Sequence, residues 1–431
     1  VTGDATVGSR LSVRPSTLIP KPVTILTAGG SLRLLDDVDA QQTPVFRFSP
    51  QLSGDSVQVT PHATFRTAGL NDDEASLAGH LQRIWDGDNP GALAHGFAAL
   101  STLADQPSYV AALDSLIDRQ VGAIATARID ASRAFVANMN SCPVFVENSL
   151  LMQESDCTWI RGTAGRLDAS GSKGTAGFDA NATTVQIGGQ YETWDDVFVA
   201  ASFGYESSSL DADDDASSAS GDVWMGGVGL KYQSGPLLAS AMVDLGAGSF
   251  DSSRRIVIGG DAYTARGTPD VANAGLHGRV SYQVHRDGFY LRPSLDLDAS
   301  YVSLDGYTEG GAGEYNLTVS ETDGWVFAAT PAVEIGTRVD VGKGTSLRPY
   351  LGLGVSLTSG NDWEVESRFA GASSSAGTFT STIDNPEALG VIRAGVEVMS
   401  SDQFDATLVY SGAFGDGYAA NAGAIKLTWR F

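Results

Sequence analysis

The sequence predicts a mainly β fold: a twelve-stranded antiparallel β-barrel that spans a membrane and holds an α-helix in its lumen. Three observations lead to this prediction. Runs of ten or more residues alternate between apolar and polar side chains through the C-terminal two-thirds of the chain. Short turns and long polar loops separate these runs in alternation, as in transmembrane barrels. An alanine-rich helical segment comes shortly before the first run.

The C-terminal strand has one apolar face and one polar face. The apolar face carries Ile425, Leu427, Trp429 and Phe431, and the positions between them are polar or charged. A period of two is typical of a β-strand, and two aromatic residues in the last three positions are unsuited to a loose tail. We therefore expect this strand to be held by pairing with another strand.

Twelve strands of this kind are predicted from residue 157 onward. They lie near 157–168, 181–192, 197–209, 220–233, 236–249, 270–285, 288–304, 324–340, 345–359, 387–400, 403–414 and 418–431. Short turns at 285–288, 340–344 and 400–402 alternate with long loops at 250–269, 305–323 and 360–386. Because a bilayer offers no partner to unpaired backbone groups, the last strand is expected to pair with the first.

The alternative fold is a soluble β-sandwich or propeller, in which the apolar faces would meet one another. Strands in such folds are typically only about five or six residues long, which favours the barrel. Three prolines, Pro293, Pro331 and Pro349, each remove a ladder hydrogen bond inside a predicted strand. For Pro293 and Pro349, which lie near the short-turn rim, we expect water or a bulge to satisfy the orphaned carbonyl.

The N-terminal third has a different pattern. Residues 1–66 contain short alternating runs broken by proline and glycine, which predict a stacked β-structure. The pattern becomes helical after Asn71, a predicted N-cap with Glu74 three residues later. Two further helices are predicted near 90–105 and 107–139.

The second of these helices is thin and partly charged. Alanine recurs along it, whereas Arg119, Arg128, Asp130 and Arg133 carry charge that an apolar core would not accept. Twelve strands enclose an interior wide enough to need filling. We therefore expect this helix, near 107–140, to lie in the lumen. The alternative is a surface helix hairpin packed on the N-terminal β-structure.

Several segments together resemble the autotransporters of type V secretion. The terminal Phe431, preceded by alternating apolar residues, is similar to the signal read by the outer-membrane barrel-assembly machinery. The segments "ILTAGG" (25–30), "VQVTPHATF" (57–65) and "YVAALDSLIDR" (109–119) are similar to the end of an exported passenger and its linker. The segment "DCTWIRGTAGR" (156–166) is similar to the first barrel strand. The order of these segments carries the resemblance, which covers nearly the whole chain.

The resemblance implies three domains: the end of a β-helical passenger at 1–66, a helical linker at 67–155 and an outer-membrane barrel at 156–431. It implies a barrel that carries its own N-terminal passenger to the cell surface and anchors it there. The lumen helix would then contact carboxylates of the wall. The expected contact residues are Arg119, Arg128, Arg133, Asp244, Asp296, Glu334 and Glu397. The alternative function is an outer-membrane channel or adhesin barrel whose N-terminal domain stays in the periplasm.

The same resemblance implies partners and surroundings. These are outer-membrane lipid and lipopolysaccharide, the barrel's own passenger, and the barrel-assembly machinery, around a monomeric barrel without a cofactor. A formal charge of −24 argues against nucleic acid as a partner. No apolar run approaches the eighteen or so residues that a membrane helix needs. No signal segment opens the chain, so a mature form or a fragment is expected.

The two cysteines flank the junction between helix and barrel. Cys142 follows the helix and Cys157 opens the first strand. A bridge between them would pin the lower end of the helix to the barrel wall and add about 3 kcal/mol on the entropic account of disulfide stabilisation. An oxidising periplasm and an even cysteine count favour this bridge over the alternative of two free thiols.

Signatures of enzymes and metal sites are weak. Ser56 in "GDSV" resembles the nucleophile of lipolytic esterases, but it lies in an alternating run, and no Asp-x-x-His supplies a base. The acidic run "DADDD" (211–215) has calcium-loop spacing, yet Ala216 replaces the required glycine. Asn138 and Asn140 lie where some autotransporters cleave themselves, without the family's paired asparagines. We therefore predict a non-enzymatic protein with no catalytic, cofactor or metal site.

Overall fold

The N-terminal segment of the computed structural model consists of five short strands: β1 Ala5–Val7, β2 Val23–Thr27, β3 Leu32–Leu34, β4 Phe46–Ser53 and β5 Ser56–Ala63. Strand β1 pairs in parallel with β3, and β2, β5 and β4 form an antiparallel sheet. The structure describes the whole chain except residues 9–10, 36–37, 39, 141, 147–148, 172–176, 214–215, 287, 343, 361 and 401–402.

The helices follow, and they differ in part from the prediction. They are α1 Asp72–Asp86, a 3₁₀ turn at Pro90–Leu93, α2 Ala94–Leu100, α3 Gln106–Leu116 and α4 Gln120–Met139. Asn71 caps α1 together with Glu74, as predicted. The predicted helix at 90–105 ends at Leu100, and the predicted helix at 107–139 is two helices. The break occurs because the backbone is extended at Ile117, and the Asp118 carboxylate then accepts the Gln120 N–H at 3.0 Å.

The prediction of a closed twelve-stranded barrel is confirmed. The strands from residue 143 onward are β6 Pro143–Phe145, β7 Met152–Glu154, β8 Cys157–Ala169, β9 Phe178–Trp194, β10 Val197–Ala212, β11 Ser217–Ser234, β12 Leu237–Ile258, β13 Asp261–Gly267, β14 Asp270–Tyr282, β15 Val284–Arg286, β16 Phe289–Leu304, β17 Tyr307–Thr308, β18 Leu317–Val319, β19 Thr322–Gly336, β20 Val339–Gly342, β21 Thr345–Ser359, β22 Trp363–Phe369, β23 Phe379–Ile383, β24 Ala388–Ser400, β25 Phe404–Gly415 and β26 Tyr418–Arg430.

The wall of the barrel consists of antiparallel neighbours that return to their starting point. In order around the wall they are β8, β9, β10, β11, β12, β14, β16, β19, β21, β24, β25 and β26. Strand β26 closes the wall on β8, with Trp429 opposite Thr158 and Arg430 opposite Cys157. The C-terminal strand is thus held by the first strand of the barrel.

The long loops contain more structure than the sequence indicated. The predicted loop at 250–269 is the outer part of β12 paired with β13. The predicted loops at 305–323 and 360–386 contribute β17, β18, β22 and β23, which form a separate four-stranded sheet, the surface sheet. Residues 287, 343 and 401–402 of the short turns lie outside the described residues.

The three prolines coincide with breaks in the strand ladders. Pairing of β19 with β21 skips from Ala329 to Ala332, so the ladder is interrupted at Pro331. Beside Pro349, the partner of β21 changes from β19 to β20. The Pro349 carbonyl accepts the Thr337 N–H at 3.2 Å. Opposite Pro293, β14 ends and β15 begins. These irregularities accommodate the missing amide donors.

The two faces of the wall have opposite polarity. Apolar side chains face outward, where Leu297 is 54% and Ile425 is 60% exposed. Charged side chains such as Lys231 and Arg161 face inward and are almost fully buried. This inversion is expected when the outer surface contacts lipid and the interior is polar. No helix in the described part of the chain has the length and apolar character of a membrane-spanning segment.

Candidate functional site: the helix inside the barrel

Helix α4 runs through the lumen and forms ion pairs with the inner face of the wall. Arg128, 1% exposed, pairs with Glu206 of β10 at 2.5 Å. Arg133 pairs with Asp298 of β16 at 3.4 Å and donates to Ser356 at 3.0 Å. These partners come from strands far apart in sequence, so α4 is fixed to two parts of the wall.

A polar network in the wall supports the same helix. The Ser132 hydroxyl lies 3.0 Å from both carboxylate oxygens of Asp244. The His277 ring bridges two carboxylates, with Nε2 2.8 Å from Asp244 and Nδ1 2.7 Å from Asp298. Asp298 also pairs with Arg133, so the helix and the wall share one hydrogen-bonded network.

Apolar packing of α4 depends on glycines in the wall. Phe135 is buried against β10 and β11. A Cβ on Gly204 would lie 3.1 Å from Cε2 of Phe135, and a Cβ on Gly227 would lie 2.9 Å from Cε1. The missing side chains therefore leave the space that the ring fills. Near the other end of the helix, a Cβ on Gly122 would lie 2.6 Å from the Ile383 side chain.

Several of the residues predicted to join the lumen helix to the wall have other partners in the structure. Arg119 lies outside the lumen, 3.8 Å from Asp73 and 3.2 Å from Asp114. Of the predicted wall carboxylates, Asp244 reaches the helix through Ser132 rather than through an arginine.

The other three predicted carboxylates pair with arginines of the wall instead of the helix. Each pairing joins neighbouring strands on the inner face. The pairs are Asp296 with Arg279 through two hydrogen bonds of 2.6 Å, Glu334 with Arg292 at 2.9 Å and with Arg348 at 3.3 Å, and Glu397 with Arg348 at 2.9 Å.

Among the charged residues of this site, five that pair with α4 or with the predicted carboxylates were not among the predicted contact residues. They are Glu206, Asp298, Arg279, Arg292 and Arg348. The three arginines could have been found from their place on the polar faces of predicted strands. Their polar-face positions put them in the lumen, where carboxylates are the expected partners.

The lower end of the helix is tied to the first barrel strand. A disulfide joins Cys142 to Cys157, and both residues are buried. Between them, β6 and β7 form a hairpin that contacts the lumen side of the wall. The Met152 N–H donates to Gln283 at 3.3 Å, and Lys231 pairs with Glu154 at 3.0 Å.

Removing this disulfide is expected to destabilise the barrel. The Cys142→Ser/Cys157→Ser variant should lose about 3 kcal/mol of unfolding free energy, because the bridge closes a loop with a sequence separation of 15 residues. Denaturant unfolding of the full chain in detergent, with and without reductant, measures this loss. Reductant should destabilise the wild type and leave the variant unchanged. Equal stability of the two proteins under oxidising conditions would contradict the prediction.

The direction of α4 places the N-terminal region on one side of the barrel. The Gln120 side chain donates to Ser217 at 2.8 Å, at the start of β11 on the long-loop rim. The helix ends near Cys142 and Cys157, on the rim where β8 begins and β26 ends. The helices α1 to α3 therefore lie on the long-loop side of the barrel.

The helices before α4 pack on the surface sheet. His80 of α1 is buried between Phe369 and Phe379, and its Nδ1 lies 3.2 Å from the Ala376 carbonyl. Asp73 of the same helix accepts the Thr382 N–H at 3.0 Å. Helix α1 and the surface sheet thus form one folded unit at the long-loop mouth of the barrel.

The contribution of His80 to the contact between α1 and the surface sheet is expected to decrease in acid. Burial, together with the smaller effect of the nearby Arg83 and Arg368 charges, lowers the pKa of His80 from 6.5 to about 4. The stabilisation is full above pH 6.5 and is lost as the pH falls through about 4, by about 3 kcal/mol at most. Hydrogen exchange of α1, corrected for intrinsic rates, measures the change.

The control for this prediction is the His80→Phe variant, which cannot titrate. Burial raises the pKa of Asp73 to about 6, so its stabilising contribution is full below pH 3.8 and decreases as the pH rises through 6. In the variant, only the Asp73 contribution remains, so the contact between α1 and the surface sheet should become more stable as the pH falls. Acid-induced opening of α1 to the same extent in the variant would exclude His80 as the cause.

The remaining sequence candidates form no catalytic or metal site among the described residues. The Ser56 hydroxyl lies 3.3 Å from Asp55 and 3.3 Å from Thr27, and no described histidine bonds to it. Asp215 of the acidic run lies outside the described residues, and the described part of the chain holds no group of three or more metal-ligating side chains. The Asn138 amide donates to Gln186 at 3.0 Å in the lumen.

The predicted assembly-signal residues all lie on the outer face. The exposed fractions are 60% for Ile425, 41% for Leu427, 60% for Trp429 and 62% for Phe431. The intervening Lys426 and Thr428 are buried and face the interior.

Comparison with known proteins identifies the family. A model of the autotransporter beta-domain matches residues 158–411. The fold is similar to the translocator domain of the autotransporter NalP from Neisseria meningitidis, with a TM-score of 0.56 and 14% identity over 72% of this chain and 97% of that chain. It is also similar to the transport unit of AIDA-I from Escherichia coli, with a TM-score of 0.45 and 16% identity over 70% and 98% of the two chains. No curated protein matches. Because the family model spans more than half of the chain, the protein belongs to the autotransporter beta-domain family and is an outer-membrane autotransporter barrel.

Proposed function

We propose that this protein carries its own N-terminal passenger to the cell surface and remains there as its anchor. The observation that supports this proposal best is the single passage of α4 through the lumen. The passage connects the long-loop side, where α1 to α3 lie, to the disulfide on the short-turn side. A chain that crosses the membrane once inside its own barrel is the expected end state of such export.

The contacts of α4 suit an anchor. Arg128 and Arg133 form ion pairs with the wall, and the disulfide adds a covalent link at the inner end. The barrel fold is that of a transporter and does not belong to an enzyme family. The domain division at residues 66 and 155 is part of the same proposal, with residues 1–66 as the end of the passenger.

The parallel pairing in the N-terminal segment supports this division. Ala5 pairs with Leu32 and Val7 with Leu34, and Leu11 bridges to Ala40 in the same direction. Such parallel pairing between segments close in sequence is typical of stacked β-solenoids. Residues 1–66 would therefore continue a β-helical passenger toward its C-terminal end.

The experiment that tests the proposal places an epitope tag ahead of Val1, behind a secretion signal. A second version of the protein carries the tag in the short turn at Gly235. Antibody labelling is compared on intact cells and on cells with a permeabilised outer membrane. The proposal expects the first tag to be labelled on intact cells and the second only after permeabilisation. The opposite result would indicate a channel or adhesin barrel with a periplasmic N-terminal domain.

We further propose that the barrel is a monomer in outer-membrane lipid, facing lipopolysaccharide, and that the barrel-assembly machinery recognises its terminal strand. Phe431→Ser should sharply reduce the amount of heat-modifiable barrel in the outer membrane, because Phe431 is the last residue of the exposed apolar face. The matched control is Phe404→Ser. Phe404 lies at the same rim, is 46% exposed, and pairs with Trp429. Equal losses in both variants would indicate a general need for rim aromatics instead of a terminal signal.

A further inference from the structure

The lumen contains a cavity that the helix does not fill. The cavity has a volume of about 510 Å³ and lies between α4 and the wall, where its lining includes residues of β8, β24, β25 and β26. Small side chains line both sides, including Ala131 and Ala134 on the helix and Thr163 and Ala422 on the wall. The cavity extends from there to Glu206 and Asp298, the ion-pair partners of α4 on β10 and β16. Because α4 packs against β9, β10, β11, β12, β14 and β16, it leaves space beside the strands that close the barrel.

Two positive charges on neighbouring strands face each other at this cavity. Arg161 of β8 lies directly opposite Lys426 of β26 in the strand register, and both residues are 2% exposed. Arg393 of β24 also lines the cavity and is close enough to Arg161 for their charges to repel. Like charges directly opposite on neighbouring strands are destabilising. We call Arg161, Lys426 and Arg393 the basic cluster.

The two guanidinium groups of the basic cluster form no ion pair with a described carboxylate. Arg161 donates to the side-chain oxygen of Asn138, and its buried Nε lacks a hydrogen-bond partner among the described residues. The buried Nε of Arg393 is likewise without a partner in the described part of the chain. Buried charges are normally paired, because their removal from water is unfavourable.

Seven described carboxylates line the same cavity; six of them are bound to other cations, and the seventh, Asp130, accepts from the Tyr418 hydroxyl. Glu397 accepts from Arg348 at 2.9 Å, and Glu334 accepts from Arg292 at 2.9 Å. Glu154 accepts from Lys231 at 3.0 Å. The basic cluster thus places two guanidinium groups beside the cavity, and neither forms an ion pair with a described carboxylate.

We propose that the basic cluster binds a small oxyanion, of the phosphate or carboxylate class, in the cavity beside α4. Guanidinium groups bind such anions through paired, charge-assisted hydrogen bonds, and the lysine adds a point charge. The anion neutralises the repulsion between β8 and β26, which is the seam that closes the barrel. The site is independent of which side of the membrane the N-terminus occupies.

The test is a calorimetric titration of inorganic phosphate into the full chain in detergent, at constant ionic strength. Wild type should bind one phosphate per chain in a saturable manner. Arg161→Gln/Arg393→Gln should bind at least roughly tenfold more weakly. Arg166→Gln is the matched control, because Arg166 lines the same cavity, is exposed, and pairs with Asp179 at 2.8 Å. Non-saturable heats in wild type, or equal affinities in wild type and Arg161→Gln/Arg393→Gln, would overturn the proposal.

A second variant keeps the test decisive if the first does not fold. Thr163 lines the cavity two residues after Arg161, on the same face of β8. Thr163→Glu would supply an internal carboxylate to the basic cluster. This variant should lose phosphate binding and become more resistant to thermal unfolding than phosphate-free wild type. Lower thermal stability, as expected if the added carboxylate is buried without a cation beside it, would contradict an anion site.

Discussion

Replacing Arg128 with methionine will lower the unfolding free energy of the barrel by about 3–5 kcal/mol. The substitution leaves the carboxylate of Glu206 inside the lumen without its cation. Among the described residues, the Thr184 hydroxyl then remains as its side-chain donor, at 3.1 Å. A buried charge that loses its partner retains its desolvation penalty, which explains the size of the effect. Denaturant unfolding in detergent, followed by the mobility shift of the heat-modified barrel, measures the loss.

Two further variants separate this mechanism from a general loss of packing. Arg128→Met/Glu206→Leu removes both charges and should regain most of the stability, because an apolar pair of similar volume replaces a buried ion pair with little loss. Arg166→Met breaks the ion pair with Asp179 at an arginine whose side chain is 56% exposed, and should change stability by less than about 1 kcal/mol. A double variant no more stable than Arg128→Met would show that Glu206 is not the source of the penalty.

Truncating Phe135 to alanine will have a comparable effect, about 3–5 kcal/mol, for an unrelated reason. The ring is 2% exposed and fills the space above Gly204 and Gly227. Because no side chain from either glycine can move into the vacated volume, the cavity remains open. The same variant should increase the ion conductance of the barrel in planar bilayers, since α4 then fits the wall less tightly.

The control for the Phe135 prediction is Phe135→Leu, which keeps most of the apolar volume and should lose only about 1 kcal/mol. A loss of less than about 1 kcal/mol in Phe135→Ala would contradict the packing role assigned to the ring. Unchanged conductance together with a large loss of stability would show that the ring stabilises the barrel without sealing it.

The barrel was predictable because the bilayer imposes a regular pattern on each strand. Outward side chains contact lipid and inward side chains contact a polar interior, so Leu295 and Asp296 differ in polarity although they are adjacent. The twelve predicted strands match the twelve observed wall strands for this reason. The surface sheet was not predictable, because β18 and β22 come from different loops and no local pattern relates them.

Two details of the candidate site depend on the rotation of the helix and on contacts between residues far apart in sequence, which the sequence alone does not show. The pairing of Arg128 with Glu206, and not with Asp244, follows from the rotation of the helix in the barrel. The division of the predicted long helix depends on Asp118, whose carbonyl accepts the Ser381 hydroxyl at 2.8 Å. That contact joins residues 263 positions apart. An alanine-rich sequence gives no local indication of either feature.

The order of contacts from the long-loop mouth to the opposite rim has a mechanical consequence. A pulling force on Val1 reaches its hydrogen bond with Thr27 first, then the packing of α1 on the surface sheet and the ion pairs of α4, and only then the Cys142–Cys157 bond. Force applied at the N-terminus is therefore opposed by the outermost contacts before it reaches the lumen helix. The packing of α1 therefore carries such a force before the ion pairs of α4 and the disulfide do.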